Sequence, residues 1–266
     1  MILTDLSAHP VVAHRGDSAH HPENTFASFD RAVAIGADAL EFDLRVTRDG
    51  VAVVIHDATV DRTTSGTGAV AEMTLAELRA LDAGSRFTPD GGATHPFARR
   101  GLVVPTFAEM LERYREIPLL IEVKVPEAVA ETRRLITEHG ARDRALLDST
   151  DHRAVEPFRA DGHTTGASMK DVLALLRRAC LPGAPARLPY EALCIPRWYN
   201  GIPVPVGRLA SVGRRAGTTT HVWTVNDPHV AARLWRMGVN GIITDDPAAM
   251  LSLRASLARG EQNAER

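Results

Sequence analysis

Short apolar runs alternate with amphipathic stretches along almost the whole chain, and this alternation limits the folds open to it. A strand that alternates with a helix needs a crossover connection, which gives a mostly parallel sheet. The 266 residues suffice for two small domains or for one α/β barrel of about 250 residues. The apolar runs predict nine strands, at 11–14, 39–46, 51–56, 118–124, 144–148, 163–167, 192–196, 220–225 and 241–244. The amphipathic stretches predict helices at 25–36, 106–115, 127–139, 152–160, 170–180, 203–216, 227–237 and 246–257.

One connection is too short to hold a helix. Only the residues TRDG, 47–50, separate the predicted strands 39–46 and 51–56. Gly50 suits the turn position that requires a positive φ, so we expect a hairpin here. Because nine predicted strands exceed the eight of a regular barrel, we expect the return strand 51–56 to lie outside it.

The stretch 57–104 interrupts the alternation. It contains one short predicted helix, opened by a capping box of Thr74 and Glu77, between two loop-like flanks. Its few apolar residues do not suffice for a core of their own, so we interpret it as an insertion on one barrel loop. We expect residues 1–256 to form a single domain and residues 257–266 to be a frayed tail.

Composition argues against several classes of protein. The net charge of −2 gives no basic field for nucleic acid. No run of about 18 apolar residues occurs and the N-terminus lacks the pattern of a signal peptide, so we expect no stable membrane insertion. Two cysteines, Cys180 and Cys194, are too few for a disulfide scaffold or a four-thiolate metal site. We interpret them as free thiols of a cytoplasmic protein and leave the oligomeric state open.

Carboxylates alternate with apolar residues in the predicted strand 39–46. Glu41, Asp43 and Arg45 share one face of this strand, opposite an apolar face. In a barrel the apolar face packs under the helices, and the two carboxylates project inward, about 7 Å apart along the strand. Buried like charges need a compensating cation, which a hard divalent metal with oxygen ligands would provide. The alternative is a set of salt bridges at a solvated rim.

The predicted strand 118–124, PLLIEVK, repeats this pattern. Glu122 and Lys124 share a face, and Lys124 is one of only two lysines among 31 basic residues. An exposed Glu–Lys pair on a sheet edge is the alternative, but the apolar run LLIEV argues against an exposed edge. We therefore expect a third carboxylate and a cation at the same site.

Two histidines end strands in the same way. His14 closes the first strand and precedes Arg15, and His56 closes the strand 51–56. Functional residues of parallel barrels gather at the carboxyl ends of the strands, so these side chains are expected to meet the carboxylates. A lone histidine at a strand end is usually a hydrogen-bonded structural residue. The interpretation therefore depends on the coincidence of the whole set.

The combined set suits phosphodiester cleavage. Three carboxylates can hold a metal that polarises a phosphoryl oxygen, while Arg15 and Lys124 neutralise phosphate charge. Two histidines can divide the proton work, one taking a proton from the nucleophile and the other protonating the leaving alkoxide. Their ordinary pKa of about 6.5 suits this work at neutral pH.

The chain resembles the glycerophosphodiester phosphodiesterase family in five segments: AHRGDSAHHPENT, EFDLRVTRDGVAVVIHD, RTTSGTG, IEVK and WTVN…GIITDDP. The match runs in order from about residue 11 to about residue 250. This resemblance implies an α/β fold, a (β/α)8 TIM barrel of the phospholipase-C-like type, with the insertion 57–104 after the second catalytic histidine. It also implies metal-dependent hydrolysis of a small-molecule glycerophosphodiester to glycerol 3-phosphate and an alcohol.

The resemblance further implies a cofactor and a role for each site residue. The cofactor would be a divalent metal ion, Ca²⁺ or Mg²⁺. The implied roles are proton transfer for His14 and His56, metal binding for Glu41, Asp43 and Glu122, phosphate contact for Arg15 and Lys124, a wall beside the substrate for Trp223, and support of the site for Glu23 and Asn24.

Several alternatives stay open at this point. The attacking group is either the glycerol 2-hydroxyl, which gives a cyclic phosphate, or water, and either histidine can act first. A lysophospholipase D or another phospholipase-C-like phosphodiesterase would share the barrel, and an apolar groove near the site would favour it. A non-catalytic phosphate-binding or metal-binding barrel would be expected to have lost a histidine or a carboxylate. The segment 197–201 is predicted to cover the site, with Trp198 or Tyr199 against the alcohol.

Overall fold

Parallel strands alternate with helices, as the apolar pattern predicts. The computed structural model describes residues 1–179 and 187–264. The strands are β1 (Val11–His14), β2 (Ala39–Val46), β3 (Ala52–Val54), β4 (Leu119–Val123), β5 (Ala145–Asp148), β6 (Ala192–Pro196), β7 (Trp198–Tyr199), β8 (Ile202–Pro203), β9 (Thr219–Trp223) and β10 (Gly241–Thr244). The α-helices are α1 (Phe26–Ala34), α2 (Leu75–Arg79), α3 (Phe107–Arg113), α4 (Val129–Glu138), α5 (His152–Ala160), α6 (Met169–Ala179), α7 (Val206–Arg215), α8 (Pro228–Arg236) and α9 (Pro247–Ala264).

The parallel strands form a barrel in the order β5-β4-β2-β1-β10-β9-β6. The segment 163–167, which we expected to be a strand, closes the ring through isolated parallel bridges. Thr165 pairs with Leu147 of β5, and the next residue pairs with β6. The amide of Thr165 donates to the Glu191 carboxylate instead of a strand carbonyl, which interrupts the regular ladder. The segment therefore takes the eighth position without being a regular strand, and the fold is the expected (β/α)8 barrel.

The predicted hairpin is present. Strands β2 and β3 pair antiparallel, with Leu44 opposite Val54, and Gly50 in the turn has a φ of 83°. Strand β3 lies off the parallel order of the barrel, as expected of the return strand. The Ile55 amide also donates to the Asp43 carbonyl at 3.0 Å, so the pairing continues as far as the residue before His56.

The two faces of β2 have opposite chemistry. Phe42 points outward and packs against Phe29 of α1 and Phe107 of α3, with ring centroids 6.0 Å apart in each pair. All three rings are fully buried in the cluster between the sheet and the helices. Because successive side chains of a strand alternate between faces, Glu41 and Asp43 lie on the side opposite this cluster.

The insertion packs on the hairpin. Helix α2 begins with the predicted capping box of Thr74 and Glu77. Val70 and Leu78 are buried in one apolar cluster with Val53 and other residues of the hairpin. The insertion and the hairpin therefore share one apolar cluster.

The C-terminal helix is longer than the sequence predicts. Helix α9 continues through Ala264, past the end predicted at residue 257. The remaining tail residues, 265 and 266, lie outside the described residues. Cys180 also lies outside them, whereas Cys194 is a buried free thiol.

Within the described parts of the chain, no helix has the length and apolar character needed to cross a bilayer.

The core prediction concerns Phe42. The substitution Phe42→Ala is expected to lower the free energy of unfolding by about 3–5 kcal/mol, because it leaves a cavity between β2, α1 and α3. Urea unfolding monitored by circular dichroism measures this loss. The control Leu257→Ala, at a position 38% exposed on α9, is expected to change stability by less than about 0.5 kcal/mol. A loss below about 1 kcal/mol for Phe42→Ala would contradict the central place of this ring.

Candidate active site

The predicted site residues meet at the carboxyl ends of the barrel strands. A cavity of about 220 Å³ opens there. Asp43 is fully buried, and its Oδ1 lies 2.9 Å from Nζ of Lys124 in the cavity wall. Seven of the predicted residues line the cavity: His14, Arg15, Glu41, His56, Glu122, Lys124 and Trp223.

Three carboxylates converge within this site. Strands β2 and β4 are neighbours, and Asp43 is in register with Glu122. One carboxylate oxygen from each of Glu41, Asp43 and Glu122 lies within 4.8 Å of the other two. Such a set of hard oxygen donors suits Ca²⁺ or Mg²⁺, so these residues fit a divalent cation.

Positive side chains compensate only part of this negative charge. Lys124 Nζ lies 2.6 Å from Glu122 Oε2, and Arg15 Nε lies 3.1 Å from Asp43 Oδ2. Burial alone would raise the pKa of the Asp43 carboxyl, but Lys124 and Arg15 hold it below its ordinary value. Burial and the Asp43 charge raise the pKa of Glu41. A cation bound beside Glu41 would therefore stabilise its charged form against the effect of burial.

His14 is held between two acidic groups. Its Nδ1 lies 2.6 Å from Asp245 Oδ1, and its Nε2 lies 4.0 Å from Glu41 Oε2. Burial disfavours the imidazolium, but the charges of Glu41 and Asp245 outweigh it, so the pKa of His14 is raised. The surroundings of His14 thus favour the imidazolium more than water does.

His56 has the opposite shift. Its Nδ1 lies 2.6 Å from Asp57 Oδ1. Burial lowers the pKa of His56, and the nearby charge of Lys124 adds to this, against the opposing charge of Asp43. The pKa values of the two histidines of this cavity are therefore shifted in opposite directions.

The backbone after β1 turns sharply at the site. Arg15 and Gly16 have φ values of 56° and 90°. A Cβ at Gly16 would lie 2.6 Å from the backbone carbonyl carbon of Ser28, so only glycine fits there. The Arg15 amide donates to Glu41 Oε2 at 3.0 Å. This turn aims both the amide and the side chain of Arg15 at the carboxylates.

Glu23 and Asn24 support the site from outside the cavity wall. Glu23 accepts a hydrogen bond from Arg15 Nη1 at 2.9 Å. Asn24 donates to Asp43 Oδ2 at 2.9 Å. Each of the two residues thus orients a side chain that the sequence assigns to metal or phosphate.

Arg62 was not among the predicted site residues, although it lies in the segment RTTSGTG. Its guanidinium donates to Glu23 Oε2 and to Asp57 Oδ2, each at 2.6 Å. Glu23 in turn contacts Arg15, and Asp57 contacts His56. One arginine from the insertion therefore connects the supports of two functional side chains.

Asp245 was also missed. It follows β10 in TDDP, and its contact with His14 joins the two ends of the chain. Ser18 donates to its Oδ1 at 2.9 Å and Asn226 to its Oδ2 at 2.7 Å. The available signal was its place directly after a barrel strand, which is where the other site residues stand.

A fourth carboxyl group, from Asp148, lines the cavity. Asp148 ends β5 in register with Glu122, and burial with the Glu122 charge raises its pKa to about 8. Its Oδ1 has no hydrogen-bond partner among the described residues. A Cβ at Gly166 would lie 2.0 Å from this oxygen, so the carboxyl group fits only because residue 166 is glycine.

The segment 197–201 differs from the expected loop. Trp198 and Tyr199 form β7, which pairs antiparallel with β8, and Asn200 at the turn has a φ of 48°. Both aromatic residues are exposed, at 57% and 47%. Neither lines the catalytic cavity, which has Trp223 as its aromatic wall.

Comparison with known sequences gives a consistent result. A model of the glycerophosphoryl diester phosphodiesterase family matches residues 14–249. The glycerophosphodiester phosphodiesterase of Caldanaerobacter subterraneus is 35% identical over 251 residues, which cover 91% of this chain and 96% of the relative. A glycerophosphodiester phosphodiesterase of Bacillus subtilis is 30% identical over 250 residues, which cover 89% of this chain and 83% of the relative.

Solved structures share the fold over nearly the same extent. The glycerophosphodiester phosphodiesterase from Agrobacterium tumefaciens gives a TM-score of 0.73 at 27% identity, covering 92% of this chain and 99% of that one. A phosphodiesterase from Oleispira antarctica, solved with the product sn-glycerol-3-phosphate, gives a TM-score of 0.75 at 25% identity. The alignment covers 92% of this chain and 96% of that one. The chain therefore belongs to the glycerophosphoryl diester phosphodiesterase family and is a phosphoric diester hydrolase.

Proposed function

We propose that the protein hydrolyses glycerophosphodiesters to glycerol 3-phosphate and an alcohol by metal-dependent, two-histidine catalysis. The observation that carries this proposal is the convergence of Glu41, Asp43 and Glu122 beside two histidines in one cavity. The product named for the Oleispira antarctica relative supports the substrate class. Cytoplasmic location and a role in glycerol or lipid metabolism stay predictions.

The charged residues divide the work of binding the phosphate. A divalent cation held by the three carboxylates would polarise a phosphoryl oxygen and neutralise developing charge. Lys124 and Arg15 supply the protein's own positive charge at the cavity. Trp223 forms the wall against which the glycerol or the alcohol packs.

The histidines take separate proton-transfer roles in this proposal. The carboxylates of Asp57 and Asp245 each hold an Nδ1, which leaves Nε2 of His56 and of His14 for the substrate. His56, with its lowered pKa, is the base that removes a proton from the nucleophile. His14, with its raised pKa, is the acid that protonates the leaving alkoxide. This assignment of base and acid is compatible with either the glycerol 2-hydroxyl or water as the nucleophile.

The histidine substitutions test the proton-transfer roles. His14→Ala and His56→Ala are each expected to lower kcat for release of glycerol 3-phosphate from glycerophosphocholine by about 10²–10⁴-fold. The control His229→Ala removes an exposed imidazole on α8 and is expected to retain wild-type kcat. Full activity of His14→Ala would overturn the assignment.

Removal of divalent ions tests the carboxylate site with two readouts. Chelation is expected to abolish hydrolysis, and either Ca²⁺ or Mg²⁺ is expected to restore it. The same ion is expected to raise the Tm of the chelated protein, since it binds the folded state, and Glu41→Gln is expected to remove this increase. Calorimetry measures the shift without reference to activity. Hydrolysis that persists in chelator, or an unchanged ion-induced shift in Glu41→Gln, would contradict the proposed ligands.

The pH profile tests the division between acid and base. The base must be neutral and the acid protonated, so kcat/KM is expected to rise with pH through the pKa of His56 and to fall through that of His14. Asp245 raises the pKa of His14. Asp245→Asn should therefore move the alkaline limb to lower pH by about one unit, because an amide does not stabilise the imidazolium. Asp143→Asn, a distant exposed change, is the control. An alkaline limb that does not move in Asp245→Asn would refute the role of His14 as acid.

A further inference from the structure

An apolar groove opens beside the catalytic cavity. It has a volume of about 390 Å³ and lies between α6, the end of β6 and the β7–β8 hairpin. A volume of this size falls within the range of small-molecule sites, about 300–1,000 Å³. Its inner wall is formed by Met169, Val172, Leu176, Ile195 and Val204.

The groove and the catalytic cavity share a wall. Thr150, Cys194 and Trp223 line both of them. A molecule whose phosphate lies in the cavity can therefore extend past Trp223 into the groove. The groove is a continuation of the active site and not a separate surface feature.

The chemistry of the groove suits a hydrocarbon. Among the described residues that line it, none is charged, and the hydroxyl groups are those of Thr150 and Tyr199. The catalytic cavity, in contrast, is lined by His14, Glu122 and other charged or titratable groups. A substrate that fills both spaces must be polar at one end and apolar at the other.

The mouth of the groove exposes large apolar side chains. Leu173 on α6 is 48% exposed, and Tyr199 and Ile202 on the hairpin are 47% and 67% exposed. Clustered apolar exposure is unfavourable in water and marks places where an apolar group binds. Here the exposed residues continue the lining of the groove to the protein surface.

We propose that this groove binds one unbranched hydrocarbon chain of a single-chain phosphodiester lipid whose phosphate occupies the catalytic cavity. The proposal rests on the proposed phosphodiesterase function and names its substrate class. The chain is carried either on the glycerol, as in a lysophospholipid, or on the alcohol. In both cases, one phosphorus–oxygen bond breaks, the oxygen of water ends on phosphorus, and the leaving alkoxide takes a proton.

The test compares substrates that differ in chain length and chain position. All are used as monomers below their micelle concentrations, with the protein in Mg²⁺ or Ca²⁺. The substrates are glycerophosphocholine, hexanoyl-lysophosphatidylcholine, decanoyl-lysophosphatidylcholine, and the diesters of glycerol phosphate with hexanol and with decanol. Each buried methylene strengthens binding by at most about fourfold. We therefore expect kcat/KM for the ten-carbon substrate to exceed that for the six-carbon substrate by at least about tenfold at one of the two chain positions, mainly through KM.

A double variant at the mouth tests the groove itself. Leu173→Glu with Ile202→Glu places two charges at exposed positions, where the fold tolerates them. The ratio of kcat/KM between the ten-carbon and six-carbon substrates is expected to fall to within about twofold of unity. The matched control Val33→Glu, 38% exposed on α1, is expected to keep the wild-type ratio. A wild-type ratio near unity for both chain positions, or a ratio unchanged in the double variant, would overturn the proposal.

A binding measurement separates this proposal from the proposed function. Titration calorimetry with decylphosphocholine and pentylphosphocholine reports on the groove without catalysis. The wild-type protein is expected to bind the decyl compound at least about tenfold more tightly, and the double variant is expected to lose this difference. A protein that is inactive on every diester but keeps the difference refutes the hydrolysis and supports the groove. Normal turnover of glycerophosphocholine with no difference in binding refutes the groove alone.

Discussion

The burial of two carboxylates on one strand is the constraint on which the site depends. Glu41 and Asp43 have almost no contact with solvent, and nearby carboxylates disfavour each other's ionisation. Lys124 and Arg15 form ion pairs with Asp43. Glu41 accepts a hydrogen bond from the Arg15 amide, and its Oε2 lies 4.0 Å from Nε2 of His14. Each of these contacts fixes a side chain that lines the cavity. In the proposed function, a cation bound by the three carboxylates would offset the remaining cost of burying them together.

The barrel makes this arrangement possible by separating two environments across one strand. The outer face of β2 is held by Phe42 in an aromatic cluster, so the strand cannot shift register without exposing that ring. The same register fixes the carboxylates of the inner face opposite Glu122 of β4. The hairpin then returns the chain so that His56 reaches the cavity. Packing on the outside therefore determines geometry on the inside.

Local patterns in the sequence were sufficient for much of this structure. Alternation of apolar and charged residues in β2 and β4 predicted the inward carboxylates, and Gly50 predicted the hairpin. Functional residues of parallel barrels gather at the carboxyl ends of the strands, and this predicted that His14 would lie near the carboxylates. Local patterns could not predict contacts between side chains that are far apart in the sequence. His14 and Asp245 are 231 residues apart, and no periodicity marks such a pair. The irregular closure at residues 163–167 was missed for the same reason, because it depends on the side chain of Glu191.

The contacts of Arg62 connect the insertion to two side chains of the site. The insertion that carries this residue folds on the hairpin, and its guanidinium reaches both Glu23 and Asp57. Glu23 contacts Arg15 and Asp57 contacts His56, so one residue of the insertion touches the supports of both side chains. Lys124 and His14, in contrast, are held by Glu122 and Asp245, which belong to the barrel strands or follow them directly. The insertion thus contributes to the site indirectly, through the two carboxylates that contact Arg15 and His56.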